Sequence, residues 1–441
     1  MNLKGIMSAA CAVCAASLFG ASDVPVVSNV AFSQPGGGRT VTVTYNLAGA
    51  PAIVTMEVLT NGVSIGAGNV TRLRGDVNKV VQPGAHQIEW IAKRDWPGHL
   101  IDESVVAVQL KAWSLVEPPP YMVADLETPS NVTYYASVDA LPDGGLSNRL
   151  YRTSRLVMRR IDAVGVSWNM GAHPTEIGYQ TEALYVAREK IHPARITNDY
   201  YIGIYPLTRG QFKRVAGFAP SRTDAPSGTD DEVYSVQWVA YSEMRQVAPE
   251  NATTAPQTNH DYDWPAPPSP DSYLGKLSAL TGVAFDLPGE SEWEYACRAG
   301  NYSGFWGDGS IILQASGNDA NLSRLANYCL DKSNTGSCQP VGTYASNAWG
   351  LYDMHGNLWE MCLDVYVDDI SALNGAINTA QIDSSLWTRT MASATPTVAE
   401  RATRRQNTAV LPSVTGTRKR AGAAASGSVS SRASRSKGRS S

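Results

Sequence analysis

A strict alternation of apolar and polar side chains marks the first part of the chain. It extends over residues 39–47. The apolar positions are Val41, Val43, Tyr45 and Leu47, and the polar positions are Thr40, Thr42, Thr44 and Asn46. A period of two residues predicts a β-strand with one buried face.

Further strand and turn signals surround this segment. Residues 53–60 and 105–113 are two more strand candidates, and Asn61-Gly62 follows the first of them. Asn-Gly favours the positive φ angles of a type I′ hairpin turn. Short strands separated by turns over residues 23–113 predict an all-β sandwich of immunoglobulin-like type. Residues 114–150, with three consecutive prolines at 118–120, are expected to be a linker.

Helical signals occur only in the second half of the chain. Residues 271–281 place Leu274, Leu277 and Leu280 on one face, and Gly282 supplies a stop signal. A second helix is expected after Pro288, with Gly289 as its N-cap, Glu292 as the third helical residue and Gly300 at its end. Few helices among many Trp, Tyr and Gly residues predict a loop-rich domain.

The composition adds information on the fold class and on the distribution of charge along the chain. The 441 residues contain 43% apolar and 17% charged side chains, which argues against a coiled coil or a disordered chain. The net charge of −4 conceals two unlike parts. Residues 401–441 contain ten Lys or Arg and no Asp or Glu, so residues 1–400 carry −14.

The N-terminus has the features of a signal peptide. Lys4 provides a positive start, residues 6–19 are apolar or small, and Gly20-Ala21-Ser22 offers a cleavage site. We therefore expect residues 1–22 to direct secretion. No other stretch approaches 18 apolar residues, so no transmembrane segment is predicted.

Two long motifs resemble a known family. Residues 285–300 read FDLPGESEWEYACRAG, and residues 347–360 read NAWGLYDMHGNLWE. Both resemble the hallmark segments of the formylglycine-generating enzyme, or sulfatase-modifying factor, family, in its order and spacing. The resemblance covers about residues 153–366 and implies a C-type-lectin-like α+β domain of low regular secondary structure. We place this domain at 151–390 and expect it to be incomplete at its C-terminus.

Several residues of the motifs have structural interpretations. Three tryptophans are expected to be core anchors: Trp293, Trp349 and Trp359. Glu294 and Arg298, four residues apart, are expected to form a helix pair.

The resemblance also implies calcium, which prefers about six to eight oxygen ligands. The implied ligands are the side chains of Asp353 and Glu360 and the carbonyls of Gly356 and Leu358. A capped turn without metal is the alternative. A second family site aligns with Asn327 and Tyr328. Its later acidic ligand aligns near Ser333, which is not acidic, and Asp331 is a substitute.

The cysteines leave two questions open. Cys329 and Cys338 bracket a short polar loop, and a loop-closing disulfide is preferred over free thiols. Cys297 aligns with a family half-cystine whose partner lies in the tail. Because no tail cysteine exists here, Cys297 is either unpaired or paired differently.

Copper is the cofactor of the family's aerobic oxidases, which convert a substrate cysteine to formylglycine with two copper-binding tail cysteines. This chain has no cysteine after Cys362, and it lacks the family's Arg-Gly-Gly-Ser and Gly-Phe-Arg segments. Residues 391–441 are either a disordered basic extension or a segment in a shifted reading frame. In the second case, codons for residues 424–428 are compatible with Gly-Phe-Arg-Leu in another frame.

Three functions remain open at this point. The first is a secreted family member, inactive or truncated, without copper-dependent oxidation. The second is a calcium-stabilised, lectin-like binding or surface-interaction module. The third is a nonheme metal-dependent oxidase with unidentified ligands. The expected partner is a protein or peptide substrate or a surface ligand, and no nucleic acid.

Overall fold

The computed structural model describes most of the chain. It covers residues 24–99, 101–172, 189–220, 231–245, 268–300, 322–327 and 338–363. The chain divides into two compact units. The first contains residues up to Tyr121 together with Thr133–Leu146, and the second contains Met122–Val132 together with the residues from Ser147 onward.

The described part of the first unit is built from two antiparallel sheets and one short helix, α1 (Ala92–Asp95). The strands are β1 (Val26–Ser33), β2 (Val41–Ala48), β3 (Ala52–Thr60), β4 (Val63–Ser64), β5 (Leu73–Gly75), β6 (Val80–Val81), β7 (Gly84–Trp90) and β8 (Val106–Trp113). One sheet has the order β1-β2-β7-β5. In the other, β4 and β6 pair with one edge of β3, and β8 pairs with β3 as well.

The alternating segment forms β2 as predicted. Its four apolar side chains are all buried, while Thr44 and Ala48 are exposed. The turn prediction is also confirmed, because Asn61 and Gly62 have φ angles of 49° and 76° between β3 and β4. An all-β N-terminal region therefore follows directly from the apolar pattern.

Residues 114–150, expected to be a linker, contain ordered elements. They include β9 (Tyr121–Asp125) and β10 (Val132–Tyr135), followed by short 3₁₀ turns. Met122, Val123 and Ala124 of β9 are buried. Because this apolar run is short and does not alternate, it carries little sequence signal for a strand.

The described part of the second unit combines short strands with short helices. The remaining strands are β11 (Arg155–Ile161), β12 (Ser167–Met170), β13 (His192–Arg195) and β14 (Tyr200–Gly203). The helices are α2 (Arg209–Ala216), α3 (Tyr241–Arg245), α4 (Tyr273–Thr281), α5 (Glu290–Arg298) and α6 (Leu322–Leu325). β9, β11 and β14 are neighbours in one sheet, and β12 pairs with β13. Among the described residues, no helix is both long and apolar enough to cross a bilayer.

The two predicted helices form α4 and α5. The Ser272 hydroxyl accepts a hydrogen bond from Gly275 N (3.1 Å) at the start of α4, and Gly282 ends it with a φ of 75°. In α5, the Glu292 carboxylate accepts a bond from Gly289 N (2.8 Å), as the capping pattern predicts. The left-handed residue that ends α5 is Ala299, one position before the predicted Gly300.

Candidate functional site

The candidate site lies in the loop that follows Leu351. Asp353 has a φ of 60° and is 1% exposed. Its Oδ2 accepts a hydrogen bond from Gly342 N (2.8 Å), whereas its Oδ1 is buried and has no hydrogen-bond partner in the described structure. Burial raises the pKa of Asp353 to about 6, and the bond from Gly342 opposes this rise. The carboxylate therefore has an acceptor position that no described residue uses.

Glu360 supplies a second carboxylate of the same kind. The side chain as a whole is half-buried, but its Oε2 is buried and lacks a hydrogen-bond partner in the described part of the chain. Burial, and then the charge of Asp353, raise the pKa of Glu360 well above its usual value. The two carboxylates thus interact unfavourably when both are charged, which is a cost that a bound cation removes.

The backbone between these carboxylates is held in place by its neighbours. A Cβ on Gly356 would overlap the Asn327 carbonyl, which requires glycine there. That carbonyl accepts a hydrogen bond from Asn357 N (2.8 Å), and the Asn357 side chain bonds Gln339 N (2.9 Å). The loop is therefore anchored on both sides.

The structure brings four predicted ligands into this loop and places a fifth against it. The four are Asp353, Gly356, Leu358 and Glu360, and the fifth is Asn327, which the sequence assigned to a separate site. Tyr328, Asp331 and Ser333 lie outside the described residues, so the second calcium site stays a prediction.

The donors at the loop are hard oxygen atoms, which suit calcium rather than copper(I). In the part of the chain that the structure describes, no group of three or more His, Cys, Asp or Glu is placed to hold a metal. A cation between Asp353 and Glu360 would need carbonyl or water oxygens for its remaining positions. Each of the two carboxylates has one buried oxygen without a hydrogen-bond partner in the described structure, and such an oxygen is a hard donor of the kind that calcium prefers.

The two sequence motifs are joined by Asn347. Its side-chain nitrogen donates to the carbonyls of Ala296 (2.8 Å) and Cys297 (3.1 Å) at the end of α5. Its side-chain oxygen accepts from Trp349 N (3.0 Å) and Leu351 N (3.1 Å). One buried amide therefore satisfies the end of the helix and starts the turn that leads to Asp353.

A buried ion pair fixes α5 to the chain after β12. Arg298 Nε donates to Glu294 Oε1 (2.7 Å), which confirms the predicted helix pair. The pair also binds the backbone of Gly171, which the sequence did not indicate. Glu294 Oε1 also accepts from Gly171 N (3.0 Å), and Arg298 Nη2 donates to Gly171 O (2.8 Å).

The three tryptophans of the motifs differ in burial. Trp293 is 4% exposed, and Trp349 is half-buried with its ring centroid 5.2 Å from that of Tyr295. The core prediction is wrong for Trp359, which is 40% exposed. A further tryptophan, Trp238, is 55% exposed at a φ of 59°, and no sequence pattern indicated this exposure.

Cys297 lies beside the loop as a buried free thiol. Its Sγ is 3.5 Å from the Met354 carbonyl oxygen and 4.0 Å from His355 Nδ1. Burial raises the pKa of this thiol well above its usual value. Because Cys329 lies outside the described residues, its disulfide with Cys338 stays a prediction.

We expect Cys297 to resist alkylation in the folded protein. The thiol is 2% exposed and protonated, whereas the thiolate is the nucleophile. Brief treatment with iodoacetamide followed by peptide mass spectrometry should leave Cys297 unmodified, and guanidinium should make it fully reactive. Equal labelling in both conditions would show that the thiol is accessible.

Comparison with known proteins places these features in a family. Residues 167–379 match the sulfatase-modifying factor enzyme 1-like domain. The formylglycine-generating enzyme of Mus musculus is 26% identical over 197 residues, which cover 38% of this chain and 50% of that protein. The chaperone protein LppX of Paenibacillus barcinonensis is 26% identical over 184 residues, covering 37% of this chain and 62% of that one.

Other matches are shorter or structurally distant. The formylglycine-generating enzyme of Mycobacterium tuberculosis is 37% identical over 78 residues, covering 17% of this chain and 25% of that one. PvdO from Pseudomonas aeruginosa, a solved structure, matches with a TM-score of 0.35 and 21% identity, covering 49% of this chain and 74% of that one. The chain spans about half to three-fifths of the first two curated relatives. Residues 167–379 are a domain of the sulfatase-modifying factor family, which includes the formylglycine-generating enzymes.

Proposed function

We propose that this chain is a secreted member of the sulfatase-modifying factor family whose domain is stabilised by calcium and does not oxidise cysteine with copper. The observation that carries the proposal is the pair of carboxylates Asp353 and Glu360, each with a buried oxygen that has no partner in the described structure. Buried polar atoms in proteins normally have a hydrogen-bond partner, and a bound ion is one explanation for an atom that lacks one.

The calcium ligands would be Asp353 and Glu360 through their side chains. By resemblance to the family, Gly356 and Leu358 would contribute carbonyl oxygens. When bound, the cation would neutralise both carboxylates and join the two ends of the loop. Around it, Gly342 orients Asp353 by hydrogen bonding, and Asn327 and Asn357 hold the backbone between the ligands.

The positions of the cysteines are our reason for proposing that the chain does not use copper. Copper(I) prefers soft thiolates, and the last cysteine of the 441 residues is Cys362. Cys297 is buried and does not offer a substitute ligand pair. The family's oxidation of a substrate cysteine therefore has no thiolate pair in the tail of this sequence.

Secretion and the finer fold assignments belong to the same proposal. The positive start at Lys4 and the apolar residues 6–19 support a signal peptide. Two antiparallel sheets support an immunoglobulin-like first unit. A C-type-lectin-like fold for the second unit is supported by the two motifs and by its short elements.

A binding function is the second candidate, and two exposed tryptophans favour it. Trp238 is held in a left-handed backbone conformation, which costs a bulky residue about 1–3 kcal/mol. Trp359 directly precedes the calcium ligand Glu360. The proteins similar to this chain include one named as a chaperone and others named as enzymes, so membership of the family does not by itself specify catalysis.

The test is a search for the oxidation product. The purified chain is incubated with copper, oxygen and a peptide containing Cys-x-Pro-x-Arg, with an active formylglycine-generating enzyme as positive control. We expect no aldehyde by mass spectrometry, and its formation would overturn the proposal.

For the second candidate, calcium-dependent retention on a glycan or protein array should weaken in Trp238→Ala and Trp359→Ala.

A further inference from the structure

The first unit contains a cavity that the proposed function does not use. Its volume is about 370 Å³, and strands β3 and β8 form one wall. The chain between Gly66 and Asn78 forms another wall, and Ala136, Ser137 and Ala140 close the third. All of these residues belong to the first unit.

The cavity lies at a gap in the pairing of β3. β4 pairs with its C-terminal end, at Leu59 and Thr60, and β6 pairs with its N-terminal end, at Ala52 and Ile53. No strand pairs with the middle of this edge in the described part of the chain. The gap therefore exposes the backbone of a central strand within a cavity.

Met56 is the residue left unpaired by the gap. Asn61 N donates to Val105 O (2.8 Å), which sets the odd-numbered residues of β3 to bond β8. The even-numbered residues face the other way, where the Val54 carbonyl accepts from Asn78 N (2.7 Å) and the Val58 carbonyl from Ile65 N (3.0 Å). Between them, the N–H and C=O of Met56 have no hydrogen-bond partner among the described residues.

A third polar group without a partner lines the same cavity. The hydroxyl oxygen of Ser137 is buried and makes no hydrogen bond in the described structure. Its segment is held against the cavity because Tyr134 N donates to Asn78 O (2.7 Å). The N–H and C=O of Met56 and the hydroxyl of Ser137 thus lack hydrogen-bond partners among the described residues at one cavity, and a buried hydroxyl such as that of Ser137 is normally paired.

We propose that this cavity binds a short extended peptide, which adds one strand segment to the open edge of β3. The free N–H and C=O of one residue are complemented by the C=O and N–H of one residue of an antiparallel strand. The cavity volume accommodates a few residues, and Met56, Val70 and Leu73 provide an apolar wall for a side chain. Ser137 supplies a further hydrogen bond.

The probe for this proposal is the blocked tripeptide acetyl-Ala-Val-Ala-amide. The whole chain, labelled with ¹³C at its methionine methyl groups, is titrated with this peptide, and the Met56 signal is assigned with Met56→Leu. We expect a saturable shift of the Met56 signal. The same peptide N-methylated at valine loses the ladder donor and should bind at least about tenfold more weakly.

Variants separate binding in the cavity from binding elsewhere. Ala140→Phe fills the cavity and should weaken the peptide's binding by at least about tenfold, and Ser137→Ala should weaken it by about threefold. Ala107→Phe, on an exposed position of β8 outside the cavity lining, is the matched control and should bind normally. Circular dichroism verifies that each variant is folded.

Three results would overturn the proposal. One is no saturable shift at a peptide concentration of about 10 mM, which would indicate that water satisfies these groups. Another is equal binding of the N-methylated peptide. The third is a shift of the Met56 signal by N-acetylglucosamine and not by the tripeptide, which would identify a sugar site.

Discussion

Removing calcium from the chain with a chelator is expected to lower the unfolding temperature of the second unit by about 5–15 °C. A ligand present at about 100–1,000 times its dissociation constant stabilises the folded state by about 3–4 kcal/mol. For a unit of this size, each kcal/mol corresponds to about 2–4 °C. Differential scanning calorimetry with and without added calcium measures the shift directly.

Variants that remove the charge of either carboxylate should abolish the stabilisation by calcium. Asp353→Asn and Glu360→Gln are expected to lose the calcium response and, in chelator, to be no less stable than the unaltered protein. The reason is that burial penalises the charged form of both carboxylates in the metal-free state, and the charge of Asp353 adds to this penalty at Glu360. Asp271→Asn, at an exposed position, is the control that should keep the full response.

The pH dependence of metal-free stability follows from the same pair. The pKa of Asp353 is raised to about 6 in the folded state, so the folded protein holds this proton more tightly than the unfolded chain. The contribution of Asp353 to stability is therefore largest below pH 4 and is lost as the pH rises through 6. Calcium should remove this loss. Urea unfolding at pH 5 and at pH 7.5, each with and without calcium, measures the effect.

Replacing Glu294 with alanine is expected to cost about 3–5 kcal/mol of unfolding free energy, because removal of one member of a buried ion pair leaves the other uncompensated. The affected groups are the Arg298 guanidinium, 7% exposed, and the N–H of Gly171, both of which bond Glu294. Urea denaturation of the purified variant gives the change.

The matched control is the exposed pair of Arg214 and Glu127. Their Nε and Oε1 atoms are 2.8 Å apart, but the Glu127 side chain is 57% exposed. Glu127→Ala is therefore expected to cost less than about 1 kcal/mol. An equal loss of unfolding free energy in the two glutamate variants would show that burial does not decide the energy of the Glu294 pair.

Local sequence patterns predicted the elements that bury one face or carry a cap. The alternation predicted β2 because the apolar residues of this strand face the core and its polar residues do not. Asn61-Gly62 and Glu292 act on the backbone within a few residues, so the turn and the helix cap that they form were also predictable.

Features that depend on distant contacts were not predictable in this way. The strand β9 is short and buried without alternation, and the prolines before it indicated a spacer instead. Trp359 and Glu360 are adjacent, yet the tryptophan is exposed while a carboxylate oxygen of the glutamate is buried. No sequence pattern showed that Asn327 packs against Gly356 or that Glu294 bonds Gly171.

The metal content of the purified 441-residue chain tests the central claim most directly. The chain is exposed to calcium and to copper(I), desalted, and analysed by inductively coupled plasma mass spectrometry. We expect about one calcium ion per chain, lost in Asp353→Asn, and no stoichiometric copper. Retention of one copper ion per chain without calcium would contradict the account.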